Sequence, residues 1–316
     1  MQLLDAQATA EALPWGPLAD AVERVLQAQA RGLVQVPERS VLPIAPQTSW
    51  FLMPAWVDAS VADLAMAKLI TYNPGNGAHG LPAILGDVLV LRASSGERLA
   101  LMDGPAVTGR RTAAVTAVAA RRLAPQPDGP MLLIGAGVQA RAHLEAFHAL
   151  FGTREVWLRS RSAGPAQALL QHARRLGLRA EPADDLDAAL ARCTVVVTAT
   201  SAQQVCLDRL PMAAAFVAAV GAFSPTMAEL APEVVRAYAE RHAVMLDTAS
   251  ARHEAGDLLQ AGVAVQALPA LGDVMARDNP QRRDGVLFKS CGSALWDLAA
   301  ALCLQQGVTR EQAACP

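Results

Sequence analysis

The sequence has no clustered cysteines. Cys193, Cys206, Cys291, Cys303 and Cys315 are odd in number and widely scattered, and no CxxC occurs among them. That excludes a disulfide framework or a thiolate zinc site and fits a reducing compartment. The histidines carry no ligand pattern either, since His143 and His148 stand five apart, a spacing a helix does not bring to one metal. No metal is expected. Long apolar runs are also missing: the longest uncharged one, AAAFVAAVGAF, is too short to span a bilayer. The opening MQLLDAQATAEAL carries Asp5 and Glu11 and no basic segment, so no secretory signal is expected and the protein reads as soluble and cytoplasmic. Neither charge sign dominates, with a formal net charge of −2 and no run of Lys and Arg to track phosphates. Nucleic acid and anionic membranes are therefore not expected partners.

What is present is a globular composition, 53% hydrophobic and 18% charged, over 316 residues, enough for two domains with a core each. In the first hundred residues GDVLVLR and ERLALMD flank Ser94-Ser95-Gly96, a hairpin signal. The segment TYNPGNGAHGLP reads as a surface loop able to shape a pocket. From Thr112, TAAVTAVAARRLA has helical spacing and stops at the linker APQPDGP. Beyond it MLLIGAG, EVWLRS, CTVVVTAT, AAFVAAVGA and HAVMLDTA alternate with helical stretches. That alternation predicts parallel strands with crossover helices, a doubly wound α/β sheet. FKSCGSALWDLAAALCLQ reads as a loop entering a helix that returns to the first domain. The predicted division is residues 113–287 against residues 1–112 with 288–316.

MLLIGAGVQA supplies Gly135, Gly137 and Ala140 in a GxGxxA arrangement, with Val138 and Gln139 opening the helix. The first Gly permits the tight turn, the second lets backbone approach a pyrophosphate, and the small third residue brings helix and strand together. The motif follows an apolar strand and opens a helix, which is the context that makes it a dinucleotide site. The next strand ends in Arg159, Ser160, Arg161 and Ser162, where an NAD-binding unit usually carries an acid for the ribose 2′-hydroxyl. Cationic and hydroxyl groups suit a 2′-phosphate, so NADPH is favoured over NADH. Solvated surface charge is the other reading of these arginines.

With these residues in hand, the chain resembles the ornithine cyclodeaminase/mu-crystallin family over nearly its whole length. The matching stretches are PERSVLP, MAKLIT, ALMDGPAVTGRRTAAVTAVAARRLAP, LLIGAGVQA, VGAFSPTMAEL, VMLDTA, ALGDV and FKSCGSALWDL. The resemblance implies a homodimer of two-domain chains. A Rossmann domain would hold the nicotinamide, and an α+β substrate and dimerisation domain would be formed by the N-terminal part with the C-terminal helix. It places the substrate-carboxylate cluster on Arg39, Lys68 and Arg111. An Arg fork holds a carboxylate bidentately and a neighbouring Lys adds charge and a proton relay. A surface ion pair is the alternative for any one of them, and Arg110 is the neighbour that could exchange roles with Arg111. Thr112 is expected to begin or cap the following helix and to face the cofactor phosphates. Thr198, Thr200, Val220 and Gly221 end two strands at the edge where a nicotinamide lies. Lys289, Ser290 and Gly292 fall in the family's closing loop and are expected to reach the nicotinamide or the substrate, while Asp297 is expected to fix the start of the last helix.

The turn in AVGAFSPTMAEL carries no acid or base. In ornithine cyclodeaminases this turn presents an aspartate that handles the amine; here the register places Phe223. Cyclodeamination needs a positioned base, whereas reduction of a preformed cyclic imine mainly needs a held carboxylate and an aimed hydride. Phe223 as an apolar wall favours a flat ring. The expected activity is NADPH-dependent reduction of 1-pyrroline-2-carboxylate or 1-piperideine-2-carboxylate to L-proline or L-pipecolate, with Lys68 and Arg111 as catalytic residues. The alternatives are an ornithine cyclodeaminase, with Glu229 or Asp297 as replacement acid, an alanine dehydrogenase-like enzyme, and a non-catalytic NADPH-dependent ligand-binding protein.

Overall fold

The computed structural model describes residues 1–201, 204–211, 215–275 and 284–314, with side chains in the last helix described as far as residue 307. In chain order the strands and α-helices are β1 (Gln2–Leu4), α1 (Ala6–Glu11), α2 (Trp15–Ala30), β2 (Val34–Gln35), β3 (Ser40–Ala45), β4 (Thr48–Val57), β5 (Leu64–Tyr72), β6 (Ile84–Leu91), β7 (Arg98–Asp103) and α3 (Gly104–Leu123). There follow β8 (Met131–Ile134), α4 (Val138–Phe151), β9 (Glu155–Arg159), α5 (Ala163–Arg175), β10 (Arg179–Pro182), α6 (Leu186–Arg192), β11 (Val195–Thr198) and β12 (Phe216–Ala219). The chain ends with α7 (Pro232–Glu240), β13 (Val244–Leu246), α8 (Gly256–Gln260), α9 (Leu271–Met275), β14 (Val286–Lys289) and α10 (Ala294–Ala314). Two compact units result, Met1–Arg111 with Ser293–Pro316, and Thr112–Gly292. Among the described residues no helix is long and apolar enough to cross a membrane.

The first unit is built on a seven-stranded sheet in the order β1-β7-β6-β5-β4-β2, with β3 also paired to β4. The expected hairpin is β6 and β7, antiparallel, with Gly96 at φ 71° in its turn. Strand alternation sorts the faces. Phe51, Met53, Ala55 and Val57 of β4 are buried, while Trp50, Leu52, Pro54 and Trp56 point the other way. Helix α10 packs against α2, β4 and β5, so an Ala- and Leu-rich helix covers the buried side. Lys68 occupies the buried alternation of β5, between Met66 and Ile70. A lysine there is a deliberate exception to an apolar row.

The second unit carries a seven-stranded, wholly parallel sheet in the order β10-β9-β8-β11-β12-β14-β13. The five apolar runs of the sequence are β8, β9, β11, β12 and β13. Two short strands, β10 and β14, join them. β14 lies between β12 and β13, which carries this unit to Gly292 rather than residue 287. The order reverses between β8 and β11, and the crevice outside their C-terminal ends is the topological switch point of a doubly wound sheet.

Helix α3 begins at Gly104, not at Thr112. The Asp103 carboxylate accepts from the Ala106 amide at 2.7 Å, an N-terminal cap, and Pro105 sits in the first turn, where a missing N–H costs nothing. Thr112 is therefore buried within the helix rather than at its start. Four residues on, Thr116 Oγ1 lies 3.0 Å from Nε2 of the buried His143, tying α3 to α4. Burial lowers the His143 pKa to about 4, with its bond to the Gln139 carbonyl opposing, so the ring is neutral near pH 7.

Candidate active site

In the first unit three elements converge on one carboxylate. Asp297, in the first turn of α10, is fully buried. Its Oδ1 lies 3.2 Å from Lys68 Nζ on β5 and 3.2 Å from Arg111 Nε on α3. The predicted role of Asp297 as a fixer of the helix start is corrected here: Ser293 serves there, its hydroxyl accepting from the Leu295 amide, and Asp297 is a counter-ion. Arg39 precedes β3, stacks over the Phe51 ring at 5.6 Å, and is close enough to depress the Lys68 charge. Burial pulls the Lys68 pKa down to about 8; Asp297 opposes this, and Arg111 and Arg39 add to it. Among these groups three cations face one anion. Arg111 Nη1 is buried and has no hydrogen-bond partner among the described residues. Such a cluster is chemically an anion site.

Arg110 and Arg111 separate cleanly. Arg110 donates from Nε to the Leu13 carbonyl at 2.7 Å and lies 3.9 Å over the Trp15 ring, a packing role in the first unit. Arg111 alone joins Lys68 and Asp297.

In the second unit the GAG turn has the form a dinucleotide requires. Gly135 has φ 119°, and a Cβ there would meet the Ala199 carbonyl oxygen at 2.3 Å. Gly137 caps α4 with no side chain, and a Cβ there would meet nothing within 4 Å, so the first amides of α4 face open space. Val138 beside them is 67% exposed, and Ala140 is buried against the sheet. Gln139 contributes its carbonyl to His143. These residues fit a pyrophosphate on a helix N-terminus.

After β9, the Arg159 guanidinium donates to the Ala183 carbonyl at 3.3 Å, and Ser160 Oγ accepts from the Ser162 amide. Arg161 Nη2 reaches Ser201 Oγ at 3.5 Å. Arg159, Arg161 and Ser162 lie exposed and Ser160 half-buried at the C-terminal end of β9, with no acid among them.

The ends of β11 and β12 are joined by a carboxylate that sequence reasoning cast only as a spare acid. Glu229 is fully buried. Its Oε2 accepts from Thr198 Oγ1 at 2.9 Å and the Gly221 amide at 2.7 Å; its Oε1 accepts from the Thr200 amide at 2.7 Å and Thr200 Oγ1 at 2.8 Å. A Cβ on Gly221 would lie 2.4 Å from Glu229 Oε1, so only glycine fits. Val220 continues the strand, its amide bonded to the Thr198 carbonyl. Burial raises the Glu229 carboxyl above its usual range, with Lys289 and the strand-end amides opposing.

Lys289 was expected at the cofactor, but its ammonium is fully buried, 2.8 Å from Asp257 Oδ2 and 2.6 Å from the Ala222 carbonyl. Asp257 Oδ1 in turn accepts from the Glu229 and Leu230 amides. Ser290 Oγ and the Gly292 amide both bond Asp247 Oδ2. The closing loop is thus held by two buried aspartates whose sequence positions carried no signal beyond their type. Phe223 is half-buried and packs against the core of this unit. Burial pushes the Cys193 and Cys206 thiols up to about 12, which excludes either as a nucleophile near neutrality.

Comparison with known proteins identifies the family and fold. The family model described as Ornithine cyclodeaminase/mu-crystallin family matches residues 2–311. The chain is 40% identical over 298 residues to the Delta(1)-pyrroline-2-carboxylate/Delta(1)-piperideine-2-carboxylate reductase of Azospirillum brasilense, covering 94% of this chain and 93% of that protein. It is also 40% identical over 303 residues to Delta(1)-pyrroline-2-carboxylate reductase 1 of Burkholderia multivorans, covering 94% and 93%. In fold it is similar to the Delta(1)-pyrroline-2-carboxylate reductase of Thermococcus litoralis, solved with NADH and L-proline, at TM-score 0.87 and 23% identity over 99% of this chain and 98% of that one. The chain belongs to the ornithine cyclodeaminase/mu-crystallin family.

Proposed function

We propose that this protein reduces the C=N bond of a small cyclic imino acid, 1-pyrroline-2-carboxylate or 1-piperideine-2-carboxylate, to L-proline or L-pipecolate with NADPH. The observation that carries this reading is the buried cluster of Lys68 and Arg111 around Asp297, with Arg39 beside it. It matches what a small imino acid offers: one carboxylate to hold and one nitrogen to protonate. The relatives named as reductases of these imines, at 40% identity over nearly the full chain, support the same chemistry.

Arg111 keeps its Nε on Asp297, which leaves the outer edge of its fork for the substrate carboxylate, and Arg39 adds a second positive group. A nicotinamide cofactor, when bound, supplies hydride for the imine carbon. Lys68, still mostly protonated near pH 7 at a pKa of about 8, supplies the proton the nitrogen takes up. Gly135, Gly137 and the first amides of α4 would hold the pyrophosphate, and Glu229 would fix the strand ends beside the nicotinamide. The preference for NADPH rests on Arg159, Ser160, Arg161 and Ser162 standing where an acid would read a free 2′-hydroxyl. Lys289, Ser290 and Gly292 act by shaping the closing loop rather than by touching the cofactor. Cyclodeamination is disfavoured because the turn offers Phe223 and because both oxygens of Glu229 are engaged by strand-end donors.

The assembly we propose is a homodimer through the first unit. Across the exposed face of its sheet, registered neighbours run Leu42, Trp50 and Thr71, and then Pro54, Ala67, Leu89, Leu101 and Leu3. Trp56 is 43% and Leu69 40% exposed on the same face. A face this apolar and this extended favours burial against a second copy. Among the described residues Cys193, Cys206, Cys291 and Cys303 form no disulfide, which agrees with a cytoplasmic location.

The test is cofactor oxidation followed by absorbance with 1-pyrroline-2-carboxylate, NADPH and NADH run side by side. Turnover with NADPH well ahead of NADH is expected, and Arg161→Ala removes the advantage by raising the KM for NADPH ~10- to 100-fold. Absence of turnover with either cofactor overturns the reading.

A further inference from the structure

Asp297 holds two of the cations that the proposed reaction uses through a single oxygen. Lys68 Nζ and Arg111 Nε both lie 3.2 Å from Oδ1, and all three side chains are at most 6% exposed. Oδ2 has no hydrogen-bond partner among the described residues. The charged groups acting on Lys68 are Asp297 on α10, Arg111 on α3, and Arg39 ahead of β3, while the neighbouring strands β4 and β6 place the uncharged Met53 and Val88 beside it. Two of these three are guanidiniums and repel the ammonium, and burial in the sheet face adds to them. Asp297 is the one group in that set that favours the charged amine.

We propose that Asp297 is a positioning residue that keeps Lys68 protonated, and so keeps it an acid, while turning the Arg111 fork toward the substrate carboxylate. This rests on the reductase reading above and goes beyond it by assigning the state of the acid to a residue that does not react. The proton balance is simple. Hydride brings two electrons and one hydrogen to the imine carbon, the Lys68 ammonium gives one proton to the nitrogen, and the neutral amine left behind regains a proton from water. Without Asp297 the ammonium faces two guanidiniums in a dry site and loses its proton at lower pH. Arrival of the substrate carboxylate adds a second anion, so the acid is held more firmly in the complex than in the free enzyme.

The experiment is the pH profile of kcat/KM for 1-pyrroline-2-carboxylate reduction by wild type, Asp297→Asn and Asp297→Glu. Wild type is expected to lose activity above about pH 8, in line with the Lys68 value. Asp297→Asn is expected to move that limb down by about one pH unit, so its deficit against wild type is ~10-fold larger at pH 8.5 than at pH 6. Asp297→Glu, which restores the charge, is expected to bring the limb back toward wild type. A loss of packing alone lowers the rate by the same factor at every pH, and parallel profiles in the folded variants overturn the proposal. Should Asp297→Asn not fold, Asp297→Ser, which also removes the charge, decides: a limb displaced to lower pH supports the role, and an unmoved limb with a uniform loss removes it. Wild-type turnover separates the two levels, because its absence removes the reductase reading itself, whereas turnover with parallel profiles removes only the role of Asp297.

Discussion

Arg110 and Arg111 are adjacent on one helix and committed to different tasks. Arg110 closes over Trp15 and the Leu13 carbonyl, while Arg111 reaches the buried Asp297. Adjacent helix positions point about 100° apart, so one packs and the other enters the cluster. Arg111→Lys is therefore expected to lower kcat/KM by ~10- to 100-fold, since a lysine loses the fork and one charge-assisted bond. Arg110→Ala is expected to lower Tm with kcat/KM within a few-fold of wild type. Steady-state kinetics and thermal melts on the pair check this, and equal kinetic losses would contradict the division of roles.

His143 gives the fold a defined acid sensitivity. Its folded pKa of about 4 lies below the ordinary histidine value of 6.5, chiefly through burial. Between those values the unfolded chain takes up a proton that the folded one refuses. Stability is thus free of this cost above pH 6.5 and falls as pH drops toward 4, by up to ~3 kcal/mol. Its Nδ1 lies 2.7 Å from the Gln139 carbonyl, so Nδ1 carries the hydrogen and Nε2 accepts from Thr116. His143→Gln should be less stable at pH 7.5 yet lose less between pH 7 and 5. An acid slope in Tm equal to that of wild type would sink the assignment.

Glu229 and Gly221 should behave as one unit. Glu229→Ala leaves the Thr200 and Gly221 amides and two hydroxyls without their acceptor, a loss of about 3 kcal/mol for buried donors. Gly221→Ala drives a Cβ to 2.4 Å from both Glu229 Oε1 and the Thr200 carbonyl oxygen. Each is expected to lower Tm and weaken NADPH binding measured by fluorescence quenching, and the double variant should lose less than the sum. Strict additivity would show that the two do not meet.

The apolar face of the first unit yields its own prediction. Trp56→Glu places a charge in the middle of that face and is expected to shift a dimer to monomer in sedimentation velocity. A wild-type protein that sediments as a monomer at micromolar concentration would contradict the assembly.

The sequence shows the main architecture because apolar strands alternating with helices have few other solutions, and because the GAG turn demands glycine where a Cβ on Gly135 would lie 2.3 Å from the Ala199 carbonyl oxygen. Lys68 and Arg111 are legible through their flanking motifs. The partner that unites them is not, because an aspartate in the first turn of a helix usually serves the helix end. Only the fold brings residue 297 to residues 68 and 111. The bracing role of Glu229, which the sequence offered only as a replacement acid, and those of Asp257 and Asp247 escaped for a related reason: their partners are largely backbone amides and a lysine far along the chain, and no spacing reports such bonds. The start of α3 was hidden by Gly104-Pro105, which reads as a break until Asp103 is seen capping it. β10, Arg-Ala-Glu-Pro at the sheet edge, carries no apolar run, and β14 was hidden because Phe288-Lys289 read as part of the loop entering the last helix.

The central claim is that a hydride joins the carbon of a cyclic imine whose carboxylate is held at Arg111 and whose nitrogen is protonated from Lys68. The most direct measurement is mass and NMR analysis of the amino acid formed from 1-pyrroline-2-carboxylate with NADPH carrying deuterium at both hydrogens of the nicotinamide C4. The account predicts L-proline carrying one deuterium at its α-carbon, formed in step with NADP+, and formed far more slowly by Arg111→Lys. Undeuterated proline, or no proline while ornithine releases ammonia, would contradict it.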